Sequence, residues 1–417
     1  MRSVAEHRDA ILAAVAPLAP VVLPISACRG LVTVADVVAE VDLPGFNNSA
    51  MDGYAVRAAD VTTARPGAPV SLRVIGEVAA GGDGAAYDVG VGEAVRIMTG
   101  AMMPAGADAV VMVERSDGGT EVVAIEDAAP VGQSIRPAGE DVRAGTVVVP
   151  AGTVVNPRVV ALAAATGHGT LAVRPRPRVA VLSTGDELIP PGMPLRPGQI
   201  HESNAPMLAA CVEALGAEVV RVASVSDDAD ALIATLGELV ASCDAVVTTG
   251  GVSMGAYDVV KAALRDRGVE FVQVAMQPGK PQGFGAFDGV PVFALPGNPV
   301  SAFVSFEMFV APALDTMMGR SHERRVVTGV MGHALDSPAG RTQIARAVTR
   351  RAGSTWLVDP VVGQGSHFVH DLVRANSLVI VPAESTRLVE GDPVEVWLLD
   401  GVHDHWVLEW AVDPRAR

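Results

Sequence analysis

The stretch Ala245-Val246-Val247-Thr248-Thr249-Gly250-Gly251-Val252-Ser253-Met254-Gly255-Ala256-Tyr257-Asp258 decides the fold. Five apolar and β-branched residues read as a buried strand, two glycines end it, and Val259 to Asp266 continues with helical spacing. The same strand, turn and helix order surrounds it. Val179 to Ser183 predicts a strand, Ala205 to Leu215 a helix stopped by Gly216, and Glu218 to Val225 a second strand. Asp230 to Ala241 predicts another helix, Val290 to Leu295 a further strand, and Val300 to Met318 the closing helix. Such alternation is the pattern of a doubly wound α/β domain with a parallel sheet, whose ligands sit beyond the carboxyl ends of the strands.

The flanks read differently. An amphipathic helix is expected within the first 20 residues and a short helix over Thr33 to Glu40. Val89 to Met98, Ala109 to Glu114, Glu121 to Ile125 and Thr146 to Val149 are expected strands of a β-rich module, which the helical run Val159 to Ala165 closes. Arg174-Pro175-Arg176-Pro177-Arg178 must be extended, because proline restricts itself and its predecessor. After Arg324, short strands with turns at Pro338-Ala339-Gly340 and Gly391-Asp392-Pro393 predict a small all-β domain, and the tail with Trp406 and Trp410 could add a strand.

Composition narrows the function. The 417 residues carry a net charge of −16, which opposes non-specific nucleic-acid binding. No apolar run reads as long and uncharged enough to span a bilayer, and the N-terminus has no secretory signal pattern. Cys28, Cys211 and Cys243 are too dispersed for a disulfide framework or zinc site and fit a reducing cytoplasm. Of 31 lysines and arginines only Lys261 and Lys280 are lysines. A surviving lysine could mark a site that needs a compact, mobile ammonium.

Three strand ends carry Gly-containing turns: Ser183-Thr184-Gly185-Asp186-Glu187, Thr249-Gly250-Gly251-Val252-Ser253 and Leu295-Pro296-Gly297-Asn298-Pro299. On one sheet they would line one crevice, where backbone amides and hydroxyls suit an anion. Glu187, Asp227 and Asp258 stand beside them, and hard carboxylates next to a phosphate cradle imply Mg²⁺. Helix capping is the bland alternative, and for Asp227, just before the Asp230 helix, it is the preferred one. Lys280 lies in the stiff Gln277-Pro278-Gly279-Lys280-Pro281 loop. Gly363-Gln364-Gly365-Ser366-His367 is a further anion turn, with His367 orienting rather than binding zinc. Upstream, Asn47 to Val56, Arg96 to Ala101 and Gly139-Glu140-Asp141 are polar turns, weak in isolation.

Taken in order, Asn48-Ser49-Ala50-Met51-Asp52-Gly53-Tyr54-Ala55-Val56, Thr184-Gly185-Asp186-Glu187-Leu188, Gly250-Gly251-Val252-Ser253, Pro278-Gly279-Lys280-Pro281 and Leu295-Pro296-Gly297-Asn298-Pro299-Val300-Ser301-Ala302 resemble the MoeA-type molybdenum insertases, including the E domain of gephyrin. The resemblance runs from about Leu43 to Pro382. It implies four domains: a discontinuous N-terminal domain (1–43 and 142–175), a β-rich domain (44–141), an α/β molybdopterin-binding domain (176–322) and a C-terminal β-barrel-like domain (323–417). It also implies a cytoplasmic homodimer with composite active sites, in which adenylylated molybdopterin and molybdate give molybdenum cofactor and AMP with Mg²⁺. A molybdopterin adenylyltransferase and molybdoenzyme apoproteins or chaperones are the further partners it suggests; nucleic acid and membrane are not among them.

By the same resemblance Glu187, Asp227 and Asp258 form the acidic phosphate site, with Glu187 and Asp258 toward the metal. Thr184, Gly185, Gly250, Gly251, Ser253, Pro296, Gly297, Asn298 and Pro299 bind the pterin nucleotide, and Asp52, Thr99 and Asp141 form a wall supplied by the partner. Lys280, Ser366 and an arginine from Arg341 to Arg346 hold molybdate. Gln277 stands where many relatives carry lysine, and Asn47 where aspartate is common. The competing functions are a molybdopterin adenylyltransferase and a non-catalytic scaffold of the same fold.

Overall fold

The computed structural model describes residues 1–252 and 259–399 and divides into two compact units, residues 22–173 and residues 1–21 with 174–417. The larger unit is built on a six-stranded sheet. Its order is Glu218–Val225, Arg178–Thr184, Ala245–Thr249, Val290–Leu295, Pro281–Phe287, Val269–Gln273. The first four strands are parallel, as expected. The Pro281–Phe287 strand runs antiparallel to both its neighbours, Val290–Leu295 and Val269–Gln273, so the sheet is mixed rather than wholly parallel. Short connections explain this: a tight turn at Asp288-Gly289 joins the strands ending at Phe287 and starting at Val290, and only antiparallel neighbours can be joined that way.

Helices cover both faces. Val4–Ala14, Asn204–Leu215 and the helical run Pro299–Met317 pack on one side, around Val179, Val181, Phe293 and Leu295. Ala229–Leu239 and Val259–Leu264 pack on the other, around Leu182, Val246 and Val292. Residues 1–21 thus group with the α/β sheet, although the sequence reading places 1–43 with the N-terminal module; buried Val4 and Ile11 find their apolar partners here.

Pro299–Met317 also corrects the expectation that no run suffices to cross a bilayer. By length and composition this 19-residue helix does, yet 89% of its window is buried inside the protein, the pattern of a core helix. It contains a π-helical turn at Phe306–Val310.

Beyond it, strands Thr342–Ala352, Thr355–Pro360, Val326–Met331, Pro393–Leu398 and Ser377–Val381 pair in that order. The last returns to the first and closes a five-stranded barrel. Closure leaves no free sheet edge among these strands. Alternate residues such as Ala345, Val358, Val379 and Val396 fill the interior.

The unit of residues 22–173 holds a five-stranded sheet, in the order Ala109–Met112, Gly53–Val56, Glu93–Ile97, Val70–Val78, Val122–Ile125. The run at Asn48 is therefore no plain connector: Gly53 to Val56 form a wholly buried central strand. The helix expected over Thr33 to Glu40 is absent. Val32–Thr33 and Val37–Val38 are strands, the latter paired with Val147–Val149. Two causes outweigh local helical spacing: β-branched side chains favour a strand, and the Thr33 hydroxyl donates to the Pro150 carbonyl at 3.0 Å, tying the chain to a distant segment.

Candidate functional site

The three Gly-containing turns do converge. In the larger unit they line a cleft of about 1090 Å³ at the carboxyl ends of the parallel strands. Thr184, Gly185 and Glu187 come from the first turn, Gly250 and Gly251 from the second, and Pro296, Gly297, Asn298 and Pro299 from the third. The turns touch. A Cβ on Gly250 would lie 2.6 Å from the Thr184 carbonyl oxygen, and its φ of +95° is strained for any L side chain, so only glycine fits.

Two of the turn amides are not free for a ligand. Gly185 N–H donates to the Val225 carbonyl (3.4 Å) and Gly250 N–H to that of Leu295 (3.2 Å). Anion binding here therefore draws on other groups, including the positive end of the Pro299 helix. Asn298 precedes that helix without capping it; its side-chain amide donates instead to Ser366 Oγ at 2.7 Å.

A residue outside the sequence reading locks the turns together. Asn204, 9% exposed, donates from Nδ2 to Thr249 Oγ1 (3.1 Å) and to the Gly297 carbonyl (2.6 Å), while Thr249 Oγ1 donates to the Pro296 carbonyl (3.1 Å). Glu202 also lines the cleft and is 6% exposed, with one carboxylate oxygen accepting from Ala205 N–H at 2.9 Å. Their signal, Glu202-Ser203-Asn204 before an apolar helix, is that of any helix start and carries no hint of a cleft.

Asp227 lies in the cleft and is not the helix cap that the sequence favours. Asp228 takes that role, accepting from Ala231 N–H at 2.8 Å. Among the described residues neither Glu187 nor Asp227 forms an ion pair, and no group of three acidic, His or Cys side chains gathers as a metal cluster. Two carboxylates in a cleft still fit Mg²⁺, which keeps several waters and shares itself between one or two carboxylates and substrate phosphates. Asp258, the other expected metal residue, and Ser253 lie outside the described residues.

The opposite wall comes from the Gln277–Pro281 loop and the barrel. Lys280, Arg341, Ser366 and Gln364 all reach the cleft. Lys280 is half-buried rather than an exposed loop lysine, and Gln277 Oε1 lies 3.4 Å from Arg341 Nη1.

Arg346 departs from expectation. It does not line the cleft; it is 1% exposed and donates to the carbonyls of Gly363 (2.5 Å), Gly365 (3.1 Å) and Phe368 (3.0 Å). Burial pushes its pKa down, against the opposing charge of Asp371. Arg341 stands just before the strand Thr342–Ala352 and Arg346 within its buried middle, a difference the sequence pattern alone does not assign to cleft or core. Arg346 therefore shapes the Gly363–Phe368 turn from behind instead of meeting a ligand.

Asp52, Thr99 and Asp141 belong to the other unit. There Thr99 donates to Asp52 Oδ1 from both its amide (2.6 Å) and its hydroxyl (2.7 Å), which holds the exposed carboxyl of Asp52 below its usual pKa. Asp141 is exposed, its amide bound to the Leu43 carbonyl at 3.0 Å.

Comparison with known proteins bears on the whole chain. Residues 2–167 match the MoeA N-terminal region (domain I and II), 180–316 a probable molybdopterin binding domain, and 328–399 the MoeA C-terminal region (domain IV). A molybdopterin molybdenumtransferase 2 of Mycobacterium tuberculosis is 46% identical over 410 residues, covering 95% of this chain and 99% of its own. A molybdopterin molybdenumtransferase of Bacillus subtilis is 34% identical, covering 87% and 86%. The crystal structure of a molybdopterin biosynthesis MoeA protein from Pyrococcus horikoshii superposes with a TM-score of 0.82 at 32% identity, over 96% of this chain and 99% of that one.

Proposed function

Because the chain belongs to the MoeA family, as a molybdopterin molybdenumtransferase of molybdenum-cofactor biosynthesis, we propose that its α/β-barrel cleft is where molybdate enters adenylylated molybdopterin and AMP is released. The supporting observation is that one cleft unites two carboxylates without an ion pair among the described residues, Glu187 and Asp227, with the cations Lys280 and Arg341. Carboxylates suit a metal-bridged pyrophosphate, and cations suit a tetrahedral dianion; a site for either alone would need only one set.

In this reading the three locked turns seat the pterin nucleotide, with Asn298 and Ser366 joined at the rim between the phosphates and the oxyanion. Glu187 and Asp227, with Asp258, would hold Mg²⁺, which would supply positive charge to offset that of the phosphates. Lys280, Arg341 and Ser366 keep molybdate beside the dithiolene. Proximity then supplies much of the rate, and no side chain needs to act as a covalent nucleophile. The further parts of the proposal are a cytoplasmic location and a homodimer in which Asp52, Thr99 and Asp141 of one chain face the cleft of the other.

Reconstitution tests the whole. Purified protein, adenylylated molybdopterin, molybdate and Mg²⁺ should yield AMP and active cofactor. Glu187→Gln and Asp258→Asn should each abolish molybdate-dependent AMP release while remaining folded. Formation of adenylylated molybdopterin and pyrophosphate from free molybdopterin and ATP, without molybdate-dependent AMP release, would make this an adenylyltransferase instead, and neither reaction would leave a scaffold.

A further inference from the structure

We propose that Gln282 is a positioning residue for Lys280, pinning the turn that presents the ammonium to the cleft. The inference rests on the oxyanion role proposed above for Lys280. That lysine sits on a turn stretched between two sheets: Met276–Gln277 pairs with Thr342–Gln343 of the barrel, and Pro281 opens a strand of the six-stranded sheet. The Lys280 carbonyl already accepts from Val274 N–H at 2.8 Å. The remaining freedom lies at Gly279, whose φ is +98°.

Gln282 removes that freedom. Its side chain is 2% exposed and does not line the cleft, so it meets no ligand directly. Nε2 donates both to the Gly279 carbonyl and to Ser305 Oγ, each at 2.6 Å. One planar carboxamide thus ties the peptide before Lys280 to the long core helix, at the residue just before its π-helical turn. Packing limits alternatives: a Cβ at Gly279 would come within 3.0 Å of Ser305 Oγ and 3.1 Å of Met276 Cε.

The physical need is plain. An ammonium on a four-carbon stem is mobile, and its attraction for a dianion falls with distance. In a chain where Gln277 offers no second charge beside it, the anchoring of the Lys280 backbone decides how often the ammonium is in place.

The scarcity of lysine makes this directly measurable. In a Lys261→Arg background, Lys280 is the only lysine, so reductive methylation with ¹³C-formaldehyde, which keeps the charge, places one side-chain label beside the α-amino signal. Titration of the full-length protein with sodium molybdate should shift that resonance saturably. Adding Gln282→Met, a near-isosteric change without donors, should raise the half-point at least about tenfold, equivalent to roughly 1.4 kcal/mol. The kcat for AMP release at saturating molybdate should change by less than about twofold, a split that general loss of structure would not give. Should Gln282→Met fail to fold, Ser305→Ala removes one arm of the clamp, and its expected rise is about threefold. An unchanged half-point in the folded variant overturns the inference. A Lys280 resonance indifferent to molybdate, in protein that still releases AMP, overturns the oxyanion role of Lys280 and the inference with it. Failure of the unmodified protein to release AMP overturns the proposed reaction itself.

Discussion

Replacing Arg346 by lysine separates two accounts of this residue with one conservative change. As a direct oxyanion ligand, Arg346 would tolerate lysine with its charge intact and the scaffold undisturbed. The structure assigns it three carbonyl partners on one turn, at 2.5, 3.0 and 3.1 Å, in a site only 1% exposed. A lysine ammonium on a shorter, differently shaped head satisfies at most one of them well. Two bonds from a charged donor are then lost, at about 1.5–3 kcal/mol each, so a loss of about 3 kcal/mol or more is expected. For a unit of this size that corresponds to a fall in melting temperature of roughly 6–12 °C. The same turn carries Gln364 and Ser366 into the cleft, and Gln364 further binds the Arg346 backbone, accepting from its N–H at 3.2 Å and donating to its carbonyl at 3.0 Å. Both substrates should therefore bind more weakly, by about tenfold each, because the turn rather than one ligand contact is disturbed. Thermal unfolding by circular dichroism and AMP release against each substrate in turn measure the two effects. A variant that melts within about 2 °C of the parent yet needs far more molybdate, with pterin nucleotide binding unchanged, would refute the organising role.

Lys280→Ala should raise the molybdate requirement at least about tenfold, or roughly 1.4 kcal/mol, and Gln277→Lys should lower it, with pterin nucleotide affinity little changed in either; weakened nucleotide binding with constant molybdate dependence would move Lys280 to the phosphate. Mixing inactive Asp52→Ala with inactive Asp258→Ala should restore some activity if each site uses both chains, whereas proven subunit exchange without recovery rules out the shared site. Acid stability should depend on His7, which is 2% exposed, packs edge-on against Phe309 with ring centroids 4.8 Å apart, and has its pKa lowered by burial to about 4. The unfolded chain takes up the proton near pH 6.5 and the folded one only near 4, so stability is full above about 6.5 and falls as the pH drops through that window, by up to about 3 kcal/mol. His7→Leu should flatten the melting temperature between pH 7 and 4.5; an unaltered pH profile would show that His7 titrates without cost to the fold.

Local order was legible in the chain itself. The strands Ala245–Thr249 and Val290–Leu295 coincide with their expected limits, because buried parallel strands are continuous apolar runs and Gly-containing turns end them. The exposed edge strand Glu218–Val225 also keeps its expected limits, through its β-branched residues between Gly216 and the Ser226-Asp227-Asp228 turn. The helix stop at Gly216, with φ +92°, follows from the same local chemistry. So did the prospect that three glycine turns would share one crevice, since parallel strands must all present their carboxyl ends on the same side.

What depended on partners far along the chain was not legible. The strand Pro281–Phe287 runs against its neighbours, and Val32–Thr33 and Val37–Val38 are strands, because pairing partners rather than propensity chose those conformations. Arg341 and Arg346 look alike in sequence, yet one reaches the cleft and the other is buried under a turn. Asn204, Glu202 and Gln282 read as ordinary polar residues, and only folding brings them against Gly297, the cleft and Gly279. A single chain encodes its turns and periodicities residue by residue, whereas the far partner of a buried side chain is fixed only when the sheet, helix and barrel have closed around it.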